Sequence, residues 1–107
     1  MTPRPGDVYL CSLDPTVGSE IRKTRPAVVI SPDELNEHWA SCLVAPMTTG
    51  SRRYPFRVAC RFDGVSGHVV LDQMRAVDNT RLVRNLGRLP APTTARVLAV
   101  AREMFAD

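Results

Sequence analysis

One segment of this sequence collects the side chains that commonly handle phosphate groups. Residues 20–25 contain three cations and one carboxylate. Arg25 differs from the other cations because it directly precedes Pro26 and a short apolar run at residues 27–30. A proline restricts the backbone of the residue before it, so we expect Arg25 to be held more firmly than an arginine at a loop tip. A fixed guanidinium suits phosphoryl transfer, in which negative charge grows on the phosphate oxygens.

Two hydroxyl groups follow another apolar run of the chain. Thr48 and Thr49 come directly after residues 42–47. Hydroxyls at a strand end are ordinary turn chemistry, but beside a fixed arginine they can also orient a phosphate. The connection at residues 14–25 is longer than a plain hairpin needs, which favours a binding role over that of a merely solvated loop.

The elements that must position these residues are mostly short strands. Apolar runs at residues 8–13, 27–30 and 42–47 predict the inner strands of a sheet, although Pro46 cannot donate a hydrogen bond to a ladder. Residues 56–61 alternate between apolar and basic or small side chains, which predicts a strand with one solvated face. A turn at residues 64–67 should lead into one long bent strand or two short ones, at residues 68–71 and 72–77.

Two helices are predicted. Between Pro32 and Trp39 there is room for one or two helical turns, and Ser31 with Glu34 fits a capping box. The longer helix should begin near Pro92, Thr93 or Thr94 and carry an apolar stripe. The members of that stripe are Val97, Leu98, Val100, Ala101, Met104 and Phe105. Five or six antiparallel strands with a terminal helix predict a strongly bent sheet or a partly open barrel.

Composition sets the outer limits on function. With 107 residues and 44% hydrophobic content, we expect a single folded domain over residues 1–107. No stretch reaches the roughly 20 apolar residues that cross a bilayer, so we expect a cytoplasmic protein. The net charge is +3 and 13 of the 14 basic residues are arginines, which makes a polyanionic ligand plausible. The widely spaced cysteines, Cys11, Cys42 and Cys60, are expected to be buried thiols.

Seven blocks of the sequence closely resemble, in the same order, the MazF/PemK toxins. They are Gly6-Asp7, Leu13-Asp14-Pro15-Thr16, Gly18-Ser19-Glu20, residues 25–32 (RPAVVISP), residues 45–49 (APMTT), Tyr54-Pro55-Phe56 and residues 70–75 (VLDQMR). The resemblance runs from about Gly6 to Leu89. Seven ordered blocks are a specific signal, whereas any one of them would be weak.

The resemblance implies a mainly β fold, an SH3-like small barrel of the PemK/MazF and CcdB-like type. Such a barrel has five to seven short antiparallel strands, one short helix and a C-terminal α-helix. It also implies the toxin component of a type II toxin–antitoxin system, a homodimer that inhibits translation and growth. Proteins of this kind cleave single-stranded RNA at short motifs without metal or cofactor, leaving 2′,3′-cyclic phosphate and 5′-hydroxyl ends. The partner would be an antitoxin with an acidic C-terminal segment.

By the same likeness, Arg25 and Thr48 are the principal catalytic residues and Glu20 is a further candidate. Arg25 would donate hydrogen bonds to the phosphorane, Thr48 would orient the scissile phosphate, and Glu20 would be the base if its loop closes over RNA. An exposed carboxylate keeps a low pKa, so an ion pair of Glu20 with Arg22 or Lys23 is the competing interpretation. How Arg25 would share in proton transfer stays open.

RNA contacts are predicted for residues around these three. Phosphate contacts by a basic track carry little sequence information, and aromatic side chains can stack on bases. Tyr54 and Phe56 are the candidates for stacking, although we expect Phe56 to point into the core instead. The predicted contact residues are Arg22, Lys23, Ser19, Thr49, Arg52, Arg53, Tyr54, Gln73 and Arg75.

Three alternatives remain at this point. His38 and His68 titrate near neutral pH and could be a nuclease pair, but neither lies in a matched block with chemistry, and we expect both to be structural, with His38 and Trp39 packed at a helix end. The wider superfamily includes toxins that bind and inhibit DNA gyrase without cutting RNA. A third possibility is an inactive remnant that serves as an interaction module.

Overall fold

Short runs of β-branched and apolar residues, separated by turns, fold into strands that curve around a common core. The computed structural model describes residues 2–14, 18, 20–21, 23–50 and 53–107. Within these residues the strands are β1 (Asp7–Ser12), β2 (Thr24–Val29), β3 (Ser41–Thr49), β4 (Arg57–Phe62), β5 (Val65–Val70), β6 (Arg75–Asp78) and β7 (Leu82–Arg88). The helices are α1 (Asp33–His38) and α2 (Ala91–Met104), with 3₁₀ turns at Leu71–Gln73 and Asn79–Arg81. The mainly β fold class is confirmed.

The strands are antiparallel and follow the order β4-β5-β3-β2-β1-β7, with β6 also paired to β3. The predicted inner strands are therefore adjacent, as expected. β3 is the longest strand and serves three neighbours in turn. Its first part pairs with β6 and β2, and after Pro46 its last three residues pair with β5. Pro46 has no N–H to donate to a neighbouring strand, and β3 changes its partner directly after this residue.

The core is divided between the two faces of the bent sheet. One cluster includes Val8, Val28 and Ala45 and takes in Val97 from helix α2. The other includes Cys11, Ala27 and Val44. Neighbouring residues of β2 alternate between the two clusters, as the period of two in a strand requires. With both faces covered, β2 fixes the orientation of the residues that precede its buried part.

Several sequence predictions need correction. Strand β7 was not predicted, and Gly67, assigned to a turn, lies within β5. The capping box is wrong because Pro32 is the residue before α1 and no side chain caps that helix. The Ser31 hydroxyl instead donates to Asn36 Oδ1 and accepts from the Leu43 amide. Residues 71–77 form a 3₁₀ turn and a short strand, so the second of the two options for this segment is correct.

Three aromatic side chains predicted to be packed are exposed. Phe56 precedes β4 in a left-handed conformation, with φ of 62°, and is 41% exposed. Trp39 follows α1 and is 65% exposed. Phe105 lies beyond the end of α2, whose Val97 is buried as the apolar stripe predicted. Each of the three residues lies just outside a regular element, before β4 begins or after a helix ends. Among the described residues, no helix has the length and apolar character needed to span a bilayer.

Candidate functional site

Arg25 and Thr48 line the same cleft, at the point where β2 enters the sheet and β3 leaves it. Ala27 pairs with Pro46. Arg25 lies two positions before Ala27 in β2, and Thr48 lies two positions after Pro46 in the antiparallel strand β3. Side chains two residues apart in a strand share a face, so Arg25 and Thr48 emerge on the same side of the sheet. Both are half-buried. The two residues predicted to be catalytic therefore share one cleft.

The backbone around Thr48 is fixed from the neighbouring strand. Thr48 pairs with His68 and Thr49 pairs with Gly67 of β5. A Cβ atom placed on Gly67 would lie 1.8 Å from the Thr48 carbonyl oxygen, a distance that no side chain can accommodate. Glycine at this position therefore lets the end of β3 approach β5 closely, and that approach sets where the Thr48 hydroxyl stands.

The remaining walls of the cleft are mostly apolar. They come from β2 and β3 and, on the other side, from the tip of the β4–β5 hairpin and from β7, where the two ends of the curved sheet approach each other. The cavity has a volume of about 350 Å³. Besides Arg25 and Thr48 its lining residues are Pro26, Met47, Thr49, Phe62, Asp63, Val65 and Leu86. Sequence reasoning assigned Thr49 to RNA contact and missed the hairpin and β7 residues.

A second cavity, of about 360 Å³, lies beside the connection between β1 and β2. Glu20, Gln73 and Arg75 are among its lining residues, together with Leu13, Ile21, Pro46, Asp72 and Met74. Gln73 Oε1 accepts a hydrogen bond from the Ile21 amide at 2.8 Å. Arg75 donates to the Leu13 carbonyl oxygen at 3.0 Å. Two residues predicted to contact RNA thus hold the backbone of the polar connection, and Glu20 does not line the cleft of Arg25.

The base of that connection is closed by further hydrogen bonds. The Leu13 amide donates to the Lys23 carbonyl, and the Lys23 amide donates to Asp14 Oδ1 at 3.0 Å. Arg81 donates to the carbonyl oxygens of Ser12 and Asp14. Lys23 itself is exposed and has a left-handed backbone, with φ of 69°. The segment that carries Glu20 is therefore anchored at both of its ends.

Tyr54 and Arg57 form a small cluster next to the second cavity. Arg57 donates to both carboxylate oxygens of Asp72, at 3.0 and 3.1 Å. Its guanidinium also stands 4.7 Å from the centre of the Tyr54 ring. Hydrogen bonding to Asp72 raises the pKa of Arg57 further. The cluster keeps the exposed Tyr54 ring, a predicted stacking residue, at the surface near Gln73 and Asp72.

The thiols and imidazoles take no visible part in the cleft. Burial raises the pKa of Cys11 and of Cys60, and raises that of Cys42 to about 11. A thiol with a raised pKa stays protonated near neutral pH and is a poor nucleophile. Cys11 and Cys42 are buried as predicted, whereas Cys60 is half-buried. His68 is buried in β5 and His38 is the last residue of α1. Neither histidine is among the residues that line the cleft of Arg25 and Thr48.

The predicted site residues that the structure describes line two clefts or are exposed, and Lys23 is among the exposed ones. Arg25, Thr48 and Thr49 meet in one cleft, and Glu20, Gln73 and Arg75 meet in the neighbouring one. Arg53 and Tyr54 are exposed on the connection between β3 and β4. Ser19, Arg22 and Arg52 lie outside the described residues. The predicted turn at residues 64–67 lies too late in the chain, and the pattern that could have placed it is Asp63-Gly64, a dipeptide typical of a two-residue turn.

Comparison with known proteins identifies the family. A family model described as the PemK-like, MazF-like toxin of type II toxin–antitoxin systems matches residues 4–105. The chain is 40% identical over 75 residues to the endoribonuclease toxin MazF of Escherichia coli (strain K12). The aligned region covers 70% of this chain and 68% of that protein.

Solved structures give the same result for the fold. A crystal structure of MazF from Deinococcus radiodurans superposes with a TM-score of 0.84 at 30% identity, covering 97% of this chain and 96% of the other. A MazE-MazF crystal structure from the same organism superposes with a TM-score of 0.78 at 27% identity, covering 99% and 97%. With the family model matched along almost the whole sequence, this chain belongs to the PemK-like, MazF-like toxins of type II toxin–antitoxin systems.

Proposed function

We propose that this chain is a metal-independent endoribonuclease that cuts single-stranded RNA at short motifs and thereby inhibits translation and growth. The observation that carries the proposal is the cleft shared by Arg25 and Thr48. A permanently charged planar donor and a hydroxyl on one side of a sheet are what a phosphodiester needs from its binding site. The endoribonuclease name of the Escherichia coli relative supports the same activity.

The reaction that fits these groups is an internal transesterification. The ribose 2′-oxygen attacks the adjacent phosphorus and loses its proton, while the bond from phosphorus to the 5′-oxygen breaks and that oxygen gains a proton. The products are a 2′,3′-cyclic phosphate and a 5′-hydroxyl, and no water is consumed. Arg25 stabilises the charge on the phosphorane oxygens and Thr48 orients the phosphate. DNA lacks the attacking hydroxyl and is left intact.

Glu20 is the proposed base of this reaction, acting from the anchored connection between β1 and β2. It lines the cavity next to the cleft, so the connection has to shift toward bound RNA for the carboxylate to reach a 2′-hydroxyl. Phosphates on either side of the scissile bond would meet the predicted contacts, which include Lys23, Arg53 and Tyr54.

The proposed setting is a cytoplasmic homodimer built from one toxin domain per chain. Its partner is an antitoxin, as the MazE-MazF complex of the Deinococcus relative suggests. An acidic antitoxin segment would compete with RNA for the same cations. Inhibition of DNA gyrase, the alternative from the wider superfamily, gains no support from the relatives described above.

A cleavage assay on a long unstructured RNA tests the proposal. Purified protein is incubated with the RNA in excess EDTA, and both the cut positions and the end groups are determined. We expect cuts at a short recurring motif, with cyclic phosphate and 5′-hydroxyl ends. RNA that stays intact, or cuts that disappear with EDTA, would contradict the proposal. A parallel supercoiling assay with DNA gyrase tests the alternative.

Gln73 provides a separate prediction about the connection between β1 and β2. In a Gln73→Leu variant the Ile21 amide loses its acceptor, and losing one such bond is worth about a tenfold change in an equilibrium. Because the connection carries Glu20, we expect kcat for RNA cleavage to fall about tenfold with little change in KM. Initial rates over a range of RNA concentrations measure the two constants separately.

Gln73→Glu is the matched control for this prediction. A carboxylate still accepts from the Ile21 amide, so a positioning role predicts that most of the activity returns. If Gln73 contacts RNA directly instead, the added negative charge makes Gln73→Glu slower than Gln73→Leu.

A further inference from the structure

The cleft of Arg25 and Thr48 extends beyond what a phosphate group requires. Two polar residues suffice to hold the phosphodiester, yet Met47, Phe62, Val65 and Leu86 add an apolar surface directly beside them. Its volume, about 350 Å³, lies within the range of about 300–1,000 Å³ found for small-ligand sites. An apolar, aromatic-walled space next to a phosphate site suits a nucleobase, which stacks on aromatic rings when it is splayed out of single-stranded RNA.

The position of Phe62 is set by the fold. A methyl group on Gly87 would stand 3.5 Å from the Phe62 ring, so the ring lies over the backbone of β7 at this point. Phe62 also packs against the first core cluster. The ring is therefore part of a built wall, which a base can use without first ordering a mobile side chain.

Asp63 is the one carboxylate among the residues that line this cleft. It forms a two-residue hairpin turn with Gly64, between the paired residues Phe62 and Val65. Both turn residues have positive φ, 52° for Asp63 and 77° for Gly64, as a type I′ turn requires. Turn geometry alone would favour asparagine as much as aspartate at the first position. The negative charge therefore needs a separate explanation in a site that binds a polyanion.

Charge separates the two halves of the cleft. The Asp63 carboxylate repels phosphate oxygens, whereas the Arg25 guanidinium attracts them. This charge pattern favours an RNA backbone on the Arg25 side of the cleft and a base on the Asp63 side. A carboxylate only accepts hydrogen bonds, so it favours a base edge that presents N–H groups.

The four bases differ at that edge. Adenine, cytosine and guanine each carry an exocyclic amino group, whereas uracil has carbonyl oxygens on both sides of its single ring N–H. A carboxylate can accept only from that ring N–H of uracil, where two carbonyl oxygens flank it and repel the negative charge, whereas the amino group of the other three bases projects beyond the ring.

We propose that this cleft holds one base next to the scissile phosphate, and that Asp63 selects a base with an exocyclic amino group and rejects uracil. The inference rests on the proposed endoribonuclease function and adds a specificity residue to it. Asp63 touches the base and not the reacting atoms, so it sets which sites are cut rather than the chemistry of cutting.

Asp63→Asn is the informative variant. It keeps the hairpin turn, since Asn-Gly is the favoured type I′ dipeptide, and replaces only the charge. The carboxamide can donate to a uracil carbonyl as well as accept from an amino group. Asp33→Asn removes the same charge from helix α1, away from the cleft, and is the matched control.

Cut sites are mapped on a long RNA with the unaltered protein and both variants. We expect uracil to be depleted about tenfold at one of the two nucleotides that flank the cut, in the unaltered protein and in Asp33→Asn, which corresponds to one charge-assisted hydrogen bond. In Asp63→Asn that depletion should disappear. Equal uracil frequencies in the unaltered protein and Asp63→Asn at both flanking positions would overturn the proposal.

Binding measurements give a readout that does not depend on cleavage. Short oligocytidylate and oligouridylate differ at the base edge mainly by an amino group against a carbonyl oxygen. The unaltered protein should bind oligocytidylate more tightly, and Asp63→Asn should bind both alike. A preference that survives in Asp63→Asn would contradict the role of Asp63. Failure to cut any RNA would instead contradict the proposed function, while the binding comparison still tests the base site.

Discussion

Replacement of Arg25 by alanine is expected to reduce the rate of RNA cleavage by about a thousandfold or more, the lower end of what a transition-state arginine contributes in phosphoryl transfer. The guanidinium is the one cation among the residues that line the cleft with Thr48. Without it, charge that develops on the phosphorane oxygens has no cationic partner there. Single-turnover cleavage of an RNA with one mapped site measures this loss in the chemical step.

Arg25→Lys separates charge from geometry. Lysine keeps the positive charge but lacks the planar set of donors that can bind two phosphate oxygens together. We expect it to recover only a small part of the lost rate. Near-normal cleavage by Arg25→Ala, with an unchanged melting temperature, would show that Arg25 is not the principal donor.

Thr48→Val is expected to reduce the cleavage rate by about ten- to a hundredfold. Valine has nearly the shape of threonine but no hydroxyl, and the loss of a hydrogen bond to a charged phosphate oxygen corresponds to a change of that size. The backbone of the site is preserved because the pairing of β3 with β5 does not involve this side chain. The rate is measured on the same single-site RNA.

Thr48→Ser keeps the hydroxyl and should retain most of the activity. If Thr48→Ser is as slow as Thr48→Val, the methyl group rather than the hydroxyl matters, and the proposed role of Thr48 in orienting the phosphate is wrong.

The sequence was sufficient to predict the parts of the fold that depend on strong local patterns. The inner strands β1, β2 and β3 are apolar on both faces, and that pattern survives in their burial. Helix α2 followed from its apolar stripe. Arg25 could be placed beside the buried part of β2 because Pro26 and the apolar run fix the chain at that point.

Other parts depend on contacts that no local pattern contains. Strand β7 has few apolar residues and two register shifts against β1, so its alternation is interrupted. Phe56 follows the period of β4 in the sequence, but its positive φ turns the chain before the strand begins.

The roles proposed for Gln73 and Asp63 could not be predicted for a related reason. Gln73 bonds to a residue 52 positions away, and Asp63 lies in the cleft because its hairpin approaches β7 across the barrel. Their partners become neighbours only through the order of the strands. The resemblance at residues 70–75 predicts that Gln73 contacts RNA. In the structure its side chain accepts a hydrogen bond from the Ile21 amide, which suggests a role in positioning the connection between β1 and β2.

A double-mutant cycle on Arg25 and Thr48 tests most directly whether the two side chains act on one phosphodiester. Single-turnover rates are compared for the unaltered protein, Arg25→Ala, Thr48→Val and the double variant, with melting temperatures as a check on folding. Residues that act as a unit are strongly non-additive, so we predict that the double variant cleaves about as slowly as Arg25→Ala alone. A double variant whose loss equals the product of the two single losses would mean that Arg25 and Thr48 act independently, and would contradict a shared grip on the scissile phosphate.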